Sequence, residues 1–154
     1  MSEQESAIAR VHELLERVNT ALGLEAEVEV TERGGEIHGA LHGEDMGLFI
    51  GRHGQTIDAV QHLAFKVAAH GRSPAPRVEV DAAGYRDRRR QALERQADQA
   101  AADAIRTGRP AALDAMSATE RKVVHEYLKD REDVETYSEG TEPDRHLVVA
   151  PLGA

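Results

Sequence analysis

The turn Gly51-Arg52-His53-Gly54 combines residue types that could bind an anion. It lies between two apolar segments, the second of which repeats at helical spacing. Glycine lets a foreign backbone approach closely, and the first turn of a helix offers unpaired N–H groups at the positive end of its dipole. Arg52 adds a permanent cation with a fork of donors, and His53 adds a weaker one. We therefore predict a phosphate-binding turn.

Two further groups carry positive charge in a pattern. Arg121 and His125 are four residues apart, so they share one face of a predicted helix; the spacing alone favours an ordinary surface pair. A second group crowds the start of the helix predicted from Tyr85, where cations oppose the helix dipole. Helix stability alone does not explain that group, although a solvated helix end is an open alternative. We predict that this group forms a supporting basic patch; its members are Arg86, Arg88, Arg89 and Arg90.

Charge is distributed unevenly along the 154 residues, whose formal net charge is −9. Residues 1–50 have a net charge of −8, residues 51–110 of +4, and residues 111–154 of −5. The only net-basic third thus begins with the predicted phosphate turn. Because charges act over about a Debye length of 8 Å, this local balance matters more to a polyanion than the total does.

The remaining composition excludes several classes of protein. There is no apolar run of membrane-spanning length, no signal-peptide pattern and no cysteine, so we predict a cytoplasmic protein without membrane insertion or disulfides. No catalytic motif is present, and we predict neither an enzyme nor a cofactor. His38 and His42 share a strand face, but no third ligand is evident, so we predict no metal site.

Hydrophobic periodicity divides the chain into two small domains, residues 1–83 and 84–154. In the first we predict a helix over 6–22, two strands joined at Gly34-Gly35, a short helix at 46–50, a helix over 54–70 and a strand over 77–81. In the second we predict an alanine-rich helix with a shallow apolar face over 85–107, a short strand near Leu113, and strands at 134–138 and 146–150. Between them we predict a helix that begins with a capping box formed by Ser117 and Glu120 and ends at about Leu128.

The first element order, with its Gly-x-x-Gly turn between two helices, resembles a type II KH domain. The resemblance implies helices on a three-stranded mixed sheet, with Gly51, Arg52, His53 and Gly54 clamping the backbone of about four nucleotides. Apolar residues beside the turn could contact bases or could belong to the core, and both interpretations stay open. They are Ile50, Ile57 and Val78.

The second element order, with Arg121-x-x-x-His125, resembles the R-three-H domain, an α/β module that binds single-stranded nucleic acid. The resemblance implies that Arg121 contacts phosphate and that His125 donates or stacks. Tyr137 could stack on a base or could belong to the core.

A KH domain followed by an R-three-H domain resembles the Jag family, also called KhpB or SpoIIIJ-associated proteins; the further N-terminal domain of many members is not found here. The resemblance implies a single-stranded RNA-binding protein of the bacterial cytoplasm, a post-transcriptional regulator or RNA chaperone linked to cell-envelope growth and division. Single-stranded DNA is a second possible ligand. A small KH protein and a second copy of the chain are possible partners. The alternative is a protein-interaction adaptor for the membrane insertase or a KH partner, and a nuclease is a more distant one.

Overall fold

A computed structural model describes residues 2–153 of the chain. It contains mixed α and β structure, as predicted, in two compact units, one up to Arg86 and one from Asp87 onward. None of the described helices is long and apolar enough to cross a bilayer.

The first unit contains a three-stranded mixed sheet and three α-helices. Its elements are α1 (Glu3–Ala21), β1 (Glu27–Arg33), β2 (Glu36–His42), α2 (Gly47–Ile50), a 3₁₀ turn (Arg52–Gly54), α3 (Gln55–Ala69) and β3 (Arg77–Ala82). Strand β2 is central: it pairs antiparallel with β1, from Glu27 opposite His42 to Arg33 opposite Glu36, and parallel with β3. The three-stranded mixed sheet that the KH resemblance implies is thus confirmed.

Helix α1 begins three residues before its predicted start, because Ser2 caps it. The Ser2 hydroxyl accepts a hydrogen bond from the Glu5 amide at 3.1 Å, and the Glu5 carboxylate accepts one from the Ser2 amide at 2.8 Å. These bonds lower the pKa of Glu5, as expected of a reciprocal capping box. The apolar stripe of α1 then packs into the core, where Val11 and Leu15 are fully buried.

Gly39 allows α1 to approach the sheet closely. A Cβ atom on this β2 residue would lie 2.6 Å from Leu15 Cδ1, well inside van der Waals contact. One face of β2 is accordingly buried under helices through Ile37, Gly39 and Leu41, whereas the other face carries half-buried or exposed side chains. The KH-like arrangement, with helices on one side of the sheet, is confirmed.

The second unit contains another three-stranded sheet, with the strand order β4-β6-β5 and antiparallel pairing throughout. Its elements are α4 (Tyr85–Thr107), which begins at the end of the first unit, β4 (Ala111–Ala112), α5 (Ala118–Leu128), β5 (Val134–Glu139) and β6 (His146–Pro151). The short strand predicted near Leu113 ends one residue before it, although the Leu113 amide still donates to Leu147 O at 2.9 Å.

The core of the second unit is built largely from alanine and aliphatic side chains. Helix α4 buries Leu93, Ala97 and Ala101 against α5 and the sheet, and the small side chains let the helix approach its neighbours closely. Helix α5 contributes Val124 and Leu128. The long alanine-rich helix with a shallow apolar face was predicted over the same residues, 85–107.

Candidate nucleic-acid interface

The backbone of the Gly51–Gly54 turn requires glycine at both ends. Helix α2 ends at Ile50, and both glycines adopt positive φ, 74° at Gly51 and 80° at Gly54. A Cβ on Gly51 would collide with the Thr56 side chain and lie 2.8 Å from its amide nitrogen. A Cβ on Gly54 would lie 2.5 Å from the Tyr85 hydroxyl oxygen. The turn is thus held from two sides, by Thr56 at Gly51 and by Tyr85 at Gly54.

Both side chains between the glycines are exposed. Neither the Arg52 nor the His53 side chain makes a hydrogen bond or an ion pair with another residue in the described range 2–153. His53 itself has a positive φ of 55°, a strained conformation for a residue with a Cβ, of the kind that concentrates at functional sites. The turn therefore presents an unpaired guanidinium beside the amino-terminal end of α3.

The one acidic residue in the first turn of α3, Asp58, is neutralised by an arginine. Arg86 Nη1 donates to Asp58 Oδ1 at 2.6 Å, and the same guanidinium donates to Gln61 Oε1 at 2.9 Å and to Val80 O at 3.1 Å. An uncompensated carboxylate there would repel a phosphate. Arg86 thus supports the turn indirectly, by removing that repulsion and by tying α3 to β3.

The other arginines of the basic helix start are also engaged. Arg89 makes two hydrogen bonds to the Glu120 carboxylate, at 2.7 and 3.1 Å. Arg90 pairs with Asp87 and Glu94, which raises its pKa, and Arg88 is exposed. These ion pairs explain why arginines lie at the start of α4, which the helix dipole does not. They also make the region less electropositive than its number of arginines suggests. Its role as a supporting patch stays a prediction.

Only half of the capping box predicted at the start of α5 is formed. The Ser117 hydroxyl accepts from the Glu120 amide at 3.2 Å, as predicted. The Glu120 carboxylate does not return to the Ser117 amide, because Arg89 holds it in a pair whose side chains are only 19% and 15% exposed. The prediction is correct for Ser117 and wrong for the Glu120 side chain.

The two residues of the Arg-x-x-x-His motif have different environments. Arg121 is 8% exposed; its Nη1 donates to Met116 O at 2.7 Å and its Nη2 to Glu142 Oε1 at 3.0 Å. The guanidinium therefore joins α5 to the segment before it and to the β5–β6 loop. A phosphate could reach the Arg121 guanidinium only if the Glu142 carboxylate moved aside or was displaced. The predicted phosphate contact therefore needs a rearrangement and stays a prediction.

His125, by contrast, is exposed, and its Nδ1 is hydrogen-bonded to the Thr136 hydroxyl of β5. When that hydroxyl donates, the neutral ring carries its proton on Nε2 and can donate it to a ligand. Tyr137, one residue further along β5, points to the opposite face of the strand from Thr136. It is 44% exposed, so it does not belong to the core, and stacking on a base stays a prediction.

Among the apolar residues near the turn, Ile57 is fully buried and belongs to the core. Ile50 and Val78 are only partly buried and pack against the same core. The interpretation as a core residue is thus confirmed for Ile57, whereas base contact by the other two stays a prediction.

A shallow apolar groove lies between α4 and α5, with Val123 and Tyr127 among its lining residues. The Tyr127 hydroxyl donates to Asp98 Oδ2 at 2.9 Å, and this bond, with partial desolvation, raises the pKa of Tyr127. The charged residues that line the groove alternate in sign and give a polyanion no net attraction; they are Arg90, Glu94, Lys122 and Glu126.

The two histidines of β2 contact different carboxylates. His42 pairs with Glu29 at 3.0 Å. By contrast, His38, Glu36 and Glu79 each offer one metal-ligating atom, and these three atoms lie within 4.8 Å of one another. No local sequence pattern indicated Glu79 as a third ligand, because it lies beside His38 only through the β2–β3 pairing. Arginines stand directly opposite Glu36 on both neighbouring strands, at positions 33 and 77, and their charge opposes a bound cation.

Several residues that shape these sites carry no local sequence signal. Asp58, Tyr85, Thr136 and Glu142 act through contacts with residues 11 or more positions away in the chain. Only an alignment of related sequences, in which contacting pairs change together, could have indicated them.

Comparison with known proteins supports two modules. A family model described as the KH domain of KhpA/KhpB matches residues 11–80, and one described as the R-three-H domain matches residues 91–151. The chain is 35% identical over 147 residues to a protein of Clostridium symbiosum, covering 96% of this chain and 65% of that protein. It is 36% identical over 148 residues to one of Lactiplantibacillus plantarum, covering 95% and 45%.

A third relative, from Bacillus subtilis, is 30% identical over 138 residues, covering 88% of this chain and 66% of that protein. All three relatives are named RNA-binding protein KhpB. The chain spans less than two thirds of the length of the first two. With a KH domain of the KhpA/KhpB type followed by an R-three-H domain, the chain belongs to the KhpB family.

Proposed function

We propose that the chain binds single-stranded RNA and that the Gly51–Gly54 turn is its main phosphate contact. The observation that carries the proposal is the unpaired, exposed Arg52 between two glycines whose geometry excludes side chains. The relatives named as RNA-binding proteins support the same ligand class. In this proposal residues 1–83 act as the KH module and residues 84–154 as the R-three-H module.

The second module contributes through the Arg121–His125 motif. His125 is exposed and held by Thr136, so it supplies a donor without needing to move. Arg121 holds the β5–β6 loop against α5 through Glu142. Base selection is weak, because the turn offers few aromatic or amide side chains that could read base edges.

We further propose that the chain acts on transcripts in the bacterial cytoplasm, as a regulator or RNA chaperone linked to cell-envelope growth and division. This part rests on the Jag family resemblance. RNA crosslinking in the native cell, followed by sequencing of the bound transcripts, tests it. Enrichment of transcripts for envelope proteins is expected, and a random sample of the transcriptome would contradict it.

RNA binding itself is tested with the variant Arg52→Asp/His53→Asp and a fluorescein-labelled single-stranded oligoribonucleotide. Both residues are exposed in a turn and contribute little to the core, so the variant is expected to fold and to lose most of its affinity. The matched control is His12→Asp/Arg17→Asp, which makes the same charge change on the exposed side of α1. Equal affinity in the two variants would exclude the turn as the site.

A protein-interaction adaptor is the second candidate, and one surface favours it. The sheet face of the first unit that the helices leave open has a net negative charge, because Glu27, Glu29, Glu36 and Glu79 outnumber Arg33 and Arg77 on it. Such a face repels RNA and suits a basic protein partner, such as a KH protein or an insertase segment. Co-purification of one partner that survives ribonuclease treatment would favour this function, and loss of the partner after that treatment would oppose it.

A further inference from the structure

Arg121 is a buried cation whose charge is balanced by an exposed acid. The Arg121 side chain is 10% exposed and that of Glu142 is 61% exposed. Glu142 is the only carboxylate within ion-pair distance of Arg121 in the part of the chain that the structure describes. The other bond of the guanidinium goes to a neutral carbonyl, Met116 O.

Glu142 is itself weakly held. It lies in the β5–β6 loop, where residues 139–144 are all exposed. The loop is fixed by other contacts: the Asp144 amide donates to Thr141 O at 2.9 Å, and Arg145 Nη1 donates to Gly140 O at 2.6 Å. The Glu142 carboxylate can therefore leave Arg121 while the turn around it stays formed.

A phosphate oxygen and a carboxylate oxygen are equivalent acceptors for a guanidinium fork. We propose that Glu142 occupies the phosphate position on Arg121 in the free protein and that an RNA phosphate displaces it on binding. The inference rests on the proposed RNA-binding function. It reconciles the burial of Arg121 with a phosphate contact, and it makes Glu142 a competitor that lowers the affinity of the second module.

His125 lies one helical turn after Arg121 on α5 and is already exposed. A phosphate that replaces Glu142 gains Arg121 and can use the His125 donor as well. A ligand without a strong anion does not gain Arg121, because it cannot compete with the carboxylate for the guanidinium. The exchange thus favours a phosphate backbone over neutral ligands.

The variant Glu142→Gln tests the competition, because it keeps the acceptor oxygen and removes the charge. Its affinity for the labelled oligoribonucleotide is expected to rise about fivefold, which corresponds to the loss of an ion pair of about 1 kcal/mol. Removing any acid raises the affinity for a polyanion, so the matched control is Asp144→Asn, in the same loop and outside the described contacts of Arg121. An equal or smaller rise in Glu142→Gln than in this control would overturn the inference.

A second readout uses the unaltered protein. Nuclear magnetic resonance of the Arg121 Nε–H group should show a change of environment when the oligoribonucleotide is added, and an unchanged resonance at saturation would overturn the inference even if a variant fails to fold. Failure of the proposed function is distinct, because then the unaltered chain does not bind the oligoribonucleotide at all. Binding that is lost in Arg52→Asp/His53→Asp but unaffected by Glu142→Gln would refute only the competition.

Discussion

Replacing Gly54 by alanine tests whether the phosphate turn is held by the residue that begins α4. Gly54 has a φ of 80°, and a Cβ there would lie 2.5 Å from the Tyr85 hydroxyl oxygen and 3.0 Å from two carbons of the same ring. Two costs therefore add in Gly54→Ala. One is the left-handed backbone, and the other is the collision with a half-buried aromatic ring.

The two free-energy costs can be estimated separately. A left-handed conformation costs a residue with a Cβ about 1–2 kcal/mol, and forcing an extra methyl into packed surroundings costs roughly 1–3 kcal/mol. Gly23 provides the matched control, since it has a φ of 69° and nothing within 4 Å of an added Cβ. We expect Gly23→Ala to lose about 1–2 kcal/mol and Gly54→Ala about 2–5 kcal/mol.

Native-state hydrogen exchange is the assay, because it reports the first unit separately from the second. Protection of the β2 amides should fall by the expected amount in Gly54→Ala. Removal of the hydroxyl in Gly54→Ala/Tyr85→Phe should recover part of the loss in a double-mutant cycle. If Gly54→Ala costs no more than Gly23→Ala, the contact between the turn and Tyr85 does not hold the turn, and the reasoning is wrong.

Two further predictions concern packing and pH. A Cβ on Gly39 would press against Leu15, so Gly39→Ala should lose roughly 1–3 kcal/mol of unfolding free energy in urea titrations, whereas Gly47→Ala, with open space around it, should lose little. The raised pKa of Tyr127 means that its bond to Asp98 stabilises the fold at neutral pH and is lost as the pH rises through that pKa. Absorbance titration of the phenolates should therefore move in part to lower pH in Asp98→Ala, and superimposable titration curves for the unaltered protein and this variant would contradict the prediction.

Local sequence patterns predicted the elements well, because each depends on near neighbours. The alternation in β1 and β2, the helical spacing in α1 and the Ser117 cap all act within a few residues, and their elements were confirmed. The turn at Gly51 was recognised from glycine spacing and from its place between two helices. The KH and R-three-H modules were identified by resemblance, through the Gly-x-x-Gly turn in its element order and the Arg-x-x-x-His motif, and both are confirmed.

Local patterns could not predict which charges pair across the fold. The Glu120 carboxylate pairs with Arg89 instead of capping α5, because α4 and α5 lie side by side. Arg86 neutralises Asp58, 28 positions away, and the burial of Arg121 depends on Met116 and on the loop that carries Glu142. Each outcome depends on tertiary contacts, so a count of basic residues overstates the charge that remains for RNA.

The most direct test of the central claim is the salt dependence of RNA binding by the unaltered protein and by Arg52→Gln. If about four phosphates are neutralised, a plot of log affinity against log salt concentration should have a slope near −3. Removing the Arg52 contact should make that slope shallower by about 0.7. The same slope in both proteins, or an affinity that does not depend on salt, would contradict a phosphate contact at the Gly51–Gly54 turn.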